Sequence, residues 1–548
     1  MTRRWMYLCG GLLLLMVVAA WALADFRTAR LAKNTLLLSA AVVGLSVPLG
    51  AALALLLART DLPGRRTAIA LLAGFLFLPL YVQAGAWQAA LGMDGWLTAL
   101  FGGPPIIAGW RGAIWIHTAA ALPWVVLFVG AGAALVERDL EEQAMLDVSP
   151  WQVALHVTLR RALGAVGVAA LWVALVAAGE MSVTDFFQVR TFAEELYTAF
   201  ALGDIQPLGR GDNATVYDPD SGILGASGVW AGVLVTGGML ATALLLVARL
   251  VPLTRRGSPR KTFVFELGRW RALAAAGTLV AIGSLTVLPL ASLAWKAGVE
   301  VVDAPTGRVR TWSAKKCVSM VALNPRADGA RLTLRHQREI AMSLRISGAA
   351  ATVAVLLALP VAWLARRGRW RAWAGLASVV WLLAIPGPLV GLAIIAILNR
   401  PAIPYFVHLY DHTITAPVLG CLAHCLPLAT LVIWPAFRML PDELLEAAEL
   451  DGAGWWQTWR LIVLPLRWPA IFLGWLVSFV WSLGELDASV LVAPPGIEPL
   501  SNHIFGLLHF GAQDQVAGIC LAMYLAVQAI AIAAAWLARK TNAGFANR

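Results

Sequence analysis

The residues in this sequence that could do chemistry are mostly acids, and they fall in two kinds of place. Glu142 and Asp147 in one stretch, and Glu446, Glu449 and Asp451 in another, lie in short polar islands between long apolar runs. Glu180 and Glu485 instead close apolar runs, each with an aspartate close behind, Asp185 and Asp487. An ionisable group at membrane depth marks a functional site by default. Such carboxylates either line a translocation path, attract a cation or form part of an outer gate, or they sit at the headgroup level and hydrogen-bond between helices. His408, Tyr410, Asp411 and His412 offer imidazole and oxygen ligands suited to a transition metal. Nothing in their spacing fixes a geometry, and a solvated loop with interfacial aromatics accounts for them better. Cys421, His424 and Cys425 share one helical face inside an apolar run, where thiols pack as small hydrophobes and a histidine finds a neighbour. Asp204, Asp212, Asp218 and Asp220 read as solvated loop acids. No Gly-Lys dipeptide occurs, so a phosphate-cradling loop with its lysine is absent, as are the zinc motif H-E-x-x-H and the nucleophile elbow G-x-S-x-G. An enzymatic role therefore finds no support, no metal or cofactor is expected on the chain, and any ATP hydrolysis belongs to another chain.

The elements that position these residues are set by composition. Of 548 residues 60% are hydrophobic and 13% charged, against about 45–50% and 25% in soluble domains. Runs of spanning length fall at about 5–24, 34–58, 67–91, 112–136, 162–179 and a sixth ending near Leu250. A second set falls at about 272–295, 343–365, 373–398, 415–437, 469–492 and 515–538. The expectation is an all-α membrane protein of about twelve spans. The first run ends Ala22-Leu23-Ala24-Asp25, so it is either a retained helix, the reading preferred here, or a cleaved signal. The net charge of +11 sits in short loops such as Arg59 to Arg66 and Arg366 to Arg371. That is the positive-inside pattern of a membrane protein, and it excludes a nucleic-acid surface. It places both termini in the cytoplasm and the long loop Val299 to Arg338 outside. Five cysteines, an odd number, form no disulfide framework.

The pattern starts twice. Leu140-x-Glu142-Gln143-Ala144-Met145-Leu146-Asp147-x-x-x-Trp151 lines up with Leu444-x-Glu446-Ala447-Ala448-Glu449-Leu450-Asp451-x-x-x-Trp455, and Gly179-Glu180-Met181 with Gly484-Glu485-Leu486. The boundary is a basic linker at 252–271, between repeats at 1–251 and 272–548. Both islands fall on the same side, so the six-helix repeats are parallel. The first island is degraded: Val148 stands where the second has Gly452, and Arg160-Arg161 where it has Leu464-Pro465. It either docks its partner more loosely or presents a differently shaped helix.

Glu446-Ala447-Ala448, three residues, Gly452, nine residues, then Ile462-x-Leu464-Pro465 resembles the EAA loop of ABC importer permeases. The resemblance implies a type I ABC importer permease fold, in which this loop is a coupling helix seated in a cleft of a cytoplasmic ABC ATPase. Glu142, Ala144, Asp147, Glu446, Ala447, Ala448, Asp451, Gly452, Leu464 and Pro465 are the coupling residues it implies. Glu180, Asp185, Glu485 and Asp487 are candidates for the translocation path. Two fused permease units, with Glu-x-x-x-Thr/Ser-Asp-like tails after the fifth span, look most like ferric-iron importer permeases. Fused thiamine and phosphonate permeases are similarly built. The family also implies a bacterial inner membrane, two ATPase copies carrying ATP and Mg, an external solute-binding protein and surrounding lipid. An ion-gradient-driven secondary transporter is the reading of another class, and a membrane scaffold a third.

Overall fold

A computed structural model describes residues 26–202, 263–366 and 379–529, apart from positions 77, 94, 305–306, 322, 326–331, 335, 380 and 511–513. The expected spans at 5–24 and up to Leu250, the acids of 204–220 and linker residues 252–262 lie outside them, as do parts of the spans at 373–398 and 515–538.

Lipid offers the backbone no hydrogen-bond partner, so an apolar run of spanning length closes its own N–H and C=O groups as a helix. Among the described residues six helices are long and apolar enough to cross a membrane, or up to eight if each of two bent pairs is one span. The run expected at 67–91 is one of those pairs: its helices are Arg65–Phe75 and Leu80–Leu91. Pro79 caps the second in an extended conformation instead of continuing the first, because it has no N–H to donate and its ring crowds the preceding turn. The body of the protein is helical as expected. Among the described residues only the long loop adds strand, in two antiparallel pairs, Val299–Ala304 with Gly307–Trp312 and Leu323–Pro325 with Leu332–Leu334. Valines and threonine at 299, 301, 302, 309 and 311 favour that extended backbone.

By packing, the chain forms two units. The first draws on Met1–Ala201, Pro219–Arg335 and Ile504–Ala534, and the second on Leu202–Asp218, His336–His503 and Ala535–Arg548. In the first unit, helices Phe26–Arg59, Gly109–Ala134 and Leu163–Gly179 each pack on the other two. Leu38, Val42, Ile116, Val125, Val129 and Val173 fill the space between them. Gly50 permits the close approach, since a Cβ there would lie 2.6 Å from Val125. Helix Arg271–Gly298 packs on Leu80–Leu91 in this unit. In the second unit, helices Gln337–Ala365, Thr415–Arg438 and Leu464–Leu483 form a matching trio. Ala354, Ala358, Ala429, Ile433 and Phe437 lie at its core. The outer faces keep leucines exposed, among them Leu36, Leu37, Leu45 and Leu49 on the first helix and Leu356, Leu357 and Leu364 in the second unit, as helices facing lipid do.

Each trio carries a short polar helix at one end. Arg138–Ala144 follows the second helix of the first trio, and Asp442–Leu450 follows the second helix of the other. Helices this short do not hold themselves in water; contacts with the trio must fix them. In the first unit the fix is ionic. Arg59, the last residue of its helix, is fully buried, donates to the Ala133 carbonyl at 3.1 Å and pairs with the equally buried Glu141. The Thr158 hydroxyl donates to Glu141 at 2.6 Å. In the second unit the corresponding position is Leu445, buried with Leu440, Phe437 and Trp459. Trp459 lies against Trp363, ring centroids 4.8 Å apart. Arg366 stacks on Trp363 at 4.2 Å and reaches Asp442 at 3.8 Å, a looser ion pair.

Removing one partner of a buried ion pair leaves an uncompensated charge, so Arg59→Ala is expected to cost about 3–5 kcal/mol, and joint replacement by Arg59→Met with Glu141→Leu much less. Thermal unfolding of the detergent-purified protein checks this. Equal loss in the single and double variants would show that the pair is not what holds the first polar helix.

Candidate functional site

The second polar helix begins with Asp442 and Glu443 in its first turn, where carboxylates complement the exposed N–H groups and helix dipole. It presents Glu446 and Ala447 to solvent and turns Ala448 inward, buried against its own unit. Its end is a Schellman turn: Gly452 N–H donates to the Glu449 carbonyl at 3.1 Å and Ala453 N–H to that of Ala448 at 2.9 Å. Gly452 has φ +77° and open space where a Cβ would stand. The glycine is therefore required by the chain's own left-handed turn, whatever approaches from outside. Asp451 stands exposed beside it.

The first polar helix keeps Glu142 exposed, bonded to Arg138 at 2.6 Å, and Asp147 exposed. Ala144 is half-buried beneath the linker aromatics: it and Phe263 pack on the cluster of Val153, Ala154 and Phe265. Valine does not enter the left-handed region without strain. Among the described residues only Gln188 and His336 do so without being glycine. At Val148 the chain makes an ordinary turn instead, its N–H donating to the Ala144 carbonyl at 3.0 Å. The first polar helix thus ends in a turn of different shape from the second. Leu146 and Leu450, equivalent in the two stretches, are 86% and 88% exposed. The sequence reading passed over them, although both stand four residues after the acids Glu142 and Glu446.

Beyond each polar helix the chain re-enters the unit through a π turn, Ala154–Leu159 in the first and Trp459–Val463 in the second. Leu464 is half-buried and Pro465 exposed just after the second turn. The first turn has the same form with Arg160 and Arg161 in those places, so the proline is not what widens it.

At the far end of the following helix, Glu180 and Glu485 are both buried. Glu180 accepts from the Ser182 hydroxyl and, at 3.0 Å, from the Val183 N–H, and it stands 3.3 Å from His117 Nε2. Glu485 accepts from the Ala488 N–H at 3.0 Å and stands 3.4 Å from His424 Nδ1. Thr184 and Ser489 close the turn the same way, donating to the carbonyls of Met181 at 2.9 Å and of Leu486 at 3.2 Å. Each glutamate is thus engaged within its own unit by a histidine from the preceding membrane helix and by the amide three residues on. His117 was not singled out from the sequence, and His424 was read only as satisfied; its partner proves to be Glu485. Cys421 and Cys425 are buried, and the Cys425 thiol donates to the Ser478 carbonyl at 3.2 Å.

The two aspartates differ. Asp185 lies 2.9 Å from His509 Nε2, and this bond holds the imidazole above its usual value. Nearby, burial pushes Glu194 up to about 7 against the opposing pull of Thr198 and Arg190. Asp487 is half-buried and packs on Gly387, where a Cβ would collide with it at 2.3 Å. His408 and His412 stack, ring centroids 5.0 Å apart, on the exposed face of helix Pro404–His412 rather than in a loop.

Residues 353–543, about a third of the chain, match the family described as binding-protein-dependent transport system inner membrane component. The chain is 32% identical over 125 residues to the spermidine/putrescine transport system permease protein PotC of Haemophilus influenzae, covering 23% of this chain and 49% of that one. It is 28% identical over 208 residues to the putrescine transport system permease protein PotI of Escherichia coli, 36% of this chain and 71% of that one. It is 27% identical over 223 residues to the molybdenum transport system permease protein ModB of Escherichia coli, 38% of this chain and 96% of that one. The chain spans about half the length of the PotC relatives it matches. The spanning helices mark a multi-pass membrane protein, and part of it is similar to inner-membrane permease components.

Because the turn at Gly452 needs a left-handed residue and not merely a small one, Gly452→Asn should be tolerated and Gly452→Val should cost about 1–2 kcal/mol. Unfolding midpoints of the purified variants test the order. Asparagine as damaging as valine would return the glycine's role to close packing.

Proposed function

We propose that the chain is the membrane-spanning permease of an ATP-driven ABC importer, with two permease units of parallel topology fused in one polypeptide. The repeats are 1–251 and 272–548, joined by the basic linker 252–271, and twelve spans complete the layout with both termini in the cytoplasm. The observation that carries this reading is the matched build of the two polar helices. Each follows the second helix of a packed trio, exposes an acid and a leucine, and leads through a π turn into the third helix. The recurrence of the histidine–glutamate contact in both units supports the duplication.

In this reading the exposed helices around Glu142 and Glu446 seat in two copies of a cytoplasmic ATPase, which carries ATP and Mg. Leu146 and Leu450 enter the partner with Ala144, Asp147, Ala447, Asp451 and Gly452 around them, while Leu464 and Pro465 begin the lever that leaves the site. ATP-driven closure of the ATPase pair shifts both helices, and their anchors pass the shift to the trios. The translocation path, for which Glu180, Asp185, Glu485 and Asp487 are the candidate residues, then opens alternately to an external solute-binding protein and to the cytoplasm.

The relatives' names bear on the solute. They name spermidine, putrescine and molybdenum and not iron, so the ferric-iron expectation, like thiamine and phosphonate, draws nothing from them. Spermidine, putrescine and molybdate are the solutes to try first. In membrane vesicles holding the chain, its ATPase and its binding protein, uptake should require ATP inside the cytoplasmic compartment and survive an ionophore. Uptake that persists without ATP and collapses with the ion gradient would overturn the proposal in favour of a secondary transporter.

A further inference from the structure

We propose that Tyr197 and Phe505 meet on the axis that relates the two repeats and close the solute path at the end away from the polar helices, with Asp185 and His509 as an ionic latch beside them. This rests on the permease reading above and names the residues that must part in each transport cycle.

The two repeats build this place in the same way. After the short helices Ser182–Phe186 and Ser489–Val492, each runs into a ten-residue helix, Phe192–Ala201 in the first and Leu500–His509 in the second. The first N–H of each is taken by a hydroxyl on the leading helix of its own trio. Phe192 donates to Thr35 at 3.0 Å and Leu500 to Ser343 at 2.7 Å, across 157 residues in both cases. The shift in position that carries Thr35 onto Ser343 and Phe192 onto Leu500 also carries Tyr197 onto Phe505. These two counterparts touch edge to face, ring centroids 5.7 Å apart. Both belong to the first packed unit, as do Asp185 and His509.

A residue that touches its own counterpart lies on the two-fold axis, because the contact maps onto itself. In parallel repeats that axis runs along the membrane normal, and the solute site lies at the repeat interface. Rings that meet on the axis obstruct it, and an apolar constriction holds back water and solute alike. Thr35 and Ser343 stand near the starts of helices Phe26–Arg59 and Gln337–Ala365, whose other ends carry Arg59 and Arg366 with their polar-helix partners. The closure is therefore at the opposite end, the outer one in the permease reading.

A second contact crosses the same seam. His509 Nδ1 lies 3.0 Å from the Phe505 carbonyl and Nε2 2.9 Å from the Asp185 carboxylate. Both partners only accept, so each ring nitrogen carries a proton and the pair with Asp185 is ionic. The imidazole also braces Phe505, ring centroids 4.5 Å apart. Ala201 is the counterpart of His509, so the repeats do not duplicate the latch. An aromatic edge contact and a partly exposed ion pair are each weak, as suits a closure that opens in every cycle.

The test uses the full chain with its native cysteines replaced and Tyr197→Cys combined with Phe505→Cys, assembled with its ATPase and binding protein. ATP hydrolysis before any reagent is added shows that the variant assembles. A short, reducible, bifunctional thiol reagent should join the two positions without nucleotide and arrest hydrolysis until reductant is added. A non-hydrolysable ATP analogue should suppress the joining. Adding His509→Gln should lower the analogue concentration that half-suppresses it by about two- to fivefold. No joining without nucleotide, joining that leaves hydrolysis untouched, or an unmoved midpoint in His509→Gln overturns the proposal. Joining that ignores the analogue overturns it too where vesicle uptake needs ATP. Where uptake needs none, the importer reading has failed instead, and the closure stands or falls on whether joining blocks that uptake.

Discussion

The anchoring of two short exposed helices to the ends of two packed trios is the constraint on which the rest depends. Neither helix has the length to hold its own shape, and neither can be moved as a lever unless something stiff ties it to the membrane helices. The two units meet that need with different physics. The first uses a buried guanidinium–carboxylate pair with a threonine hydroxyl on the same carboxylate. The second uses leucine, phenylalanine and two indoles, with the buried Arg366 stacked on one of them. A buried ion pair is directional and costly to break, whereas an aromatic cluster is held by area and tolerates small shifts. The two polar helices are therefore fastened with unequal compliance.

The same inequality runs into the exposed surface. Gly452 lets the second polar helix finish in a left-handed turn that satisfies its last carbonyls, while Val148, itself exposed, sends the first into an ordinary turn. Deeper in each unit the two halves become alike again. A histidine from one membrane helix faces a glutamate at the end of another, and the glutamate caps the turn that follows it. An unpaired carboxylate there would have no solvent to fall back on, so each glutamate keeps its partners.

Much of this was legible in the sequence, for reasons that also mark where legibility stopped. Runs such as Leu163–Gly179 and Thr415–Arg438 are visible because lipid demands both length and apolarity. The polar helices stand out as charged interruptions of that pattern. Pro79 divides a run that reads as continuous, since hydropathy does not register a missing N–H. The hairpins at Val299–Trp312 were hidden because a charged loop carries no spanning signal and its alternation is short. Arg59 and Glu141 are 82 residues apart, and nothing local announces their meeting. His117 escaped notice for a simpler reason: it precedes Glu142 by 25 residues whereas His424 precedes Glu446 by 22, so aligning the polar stretches sets the histidines about one helical turn apart. The turn at Gly452 shows that a correct choice of residue can rest on an incomplete cause, since its left-handed backbone angle, with open space around it, is what favours glycine there.

The sidedness of the polar helices decides most directly whether they are levers for a cytoplasmic motor. With the native cysteines replaced, Leu146→Cys and Leu450→Cys can be labelled by a membrane-impermeant maleimide in right-side-out and inverted vesicles. Both positions should react in inverted vesicles alone. Reaction from the outer face of right-side-out vesicles, at either position, would contradict the coupling role and with it the importer reading.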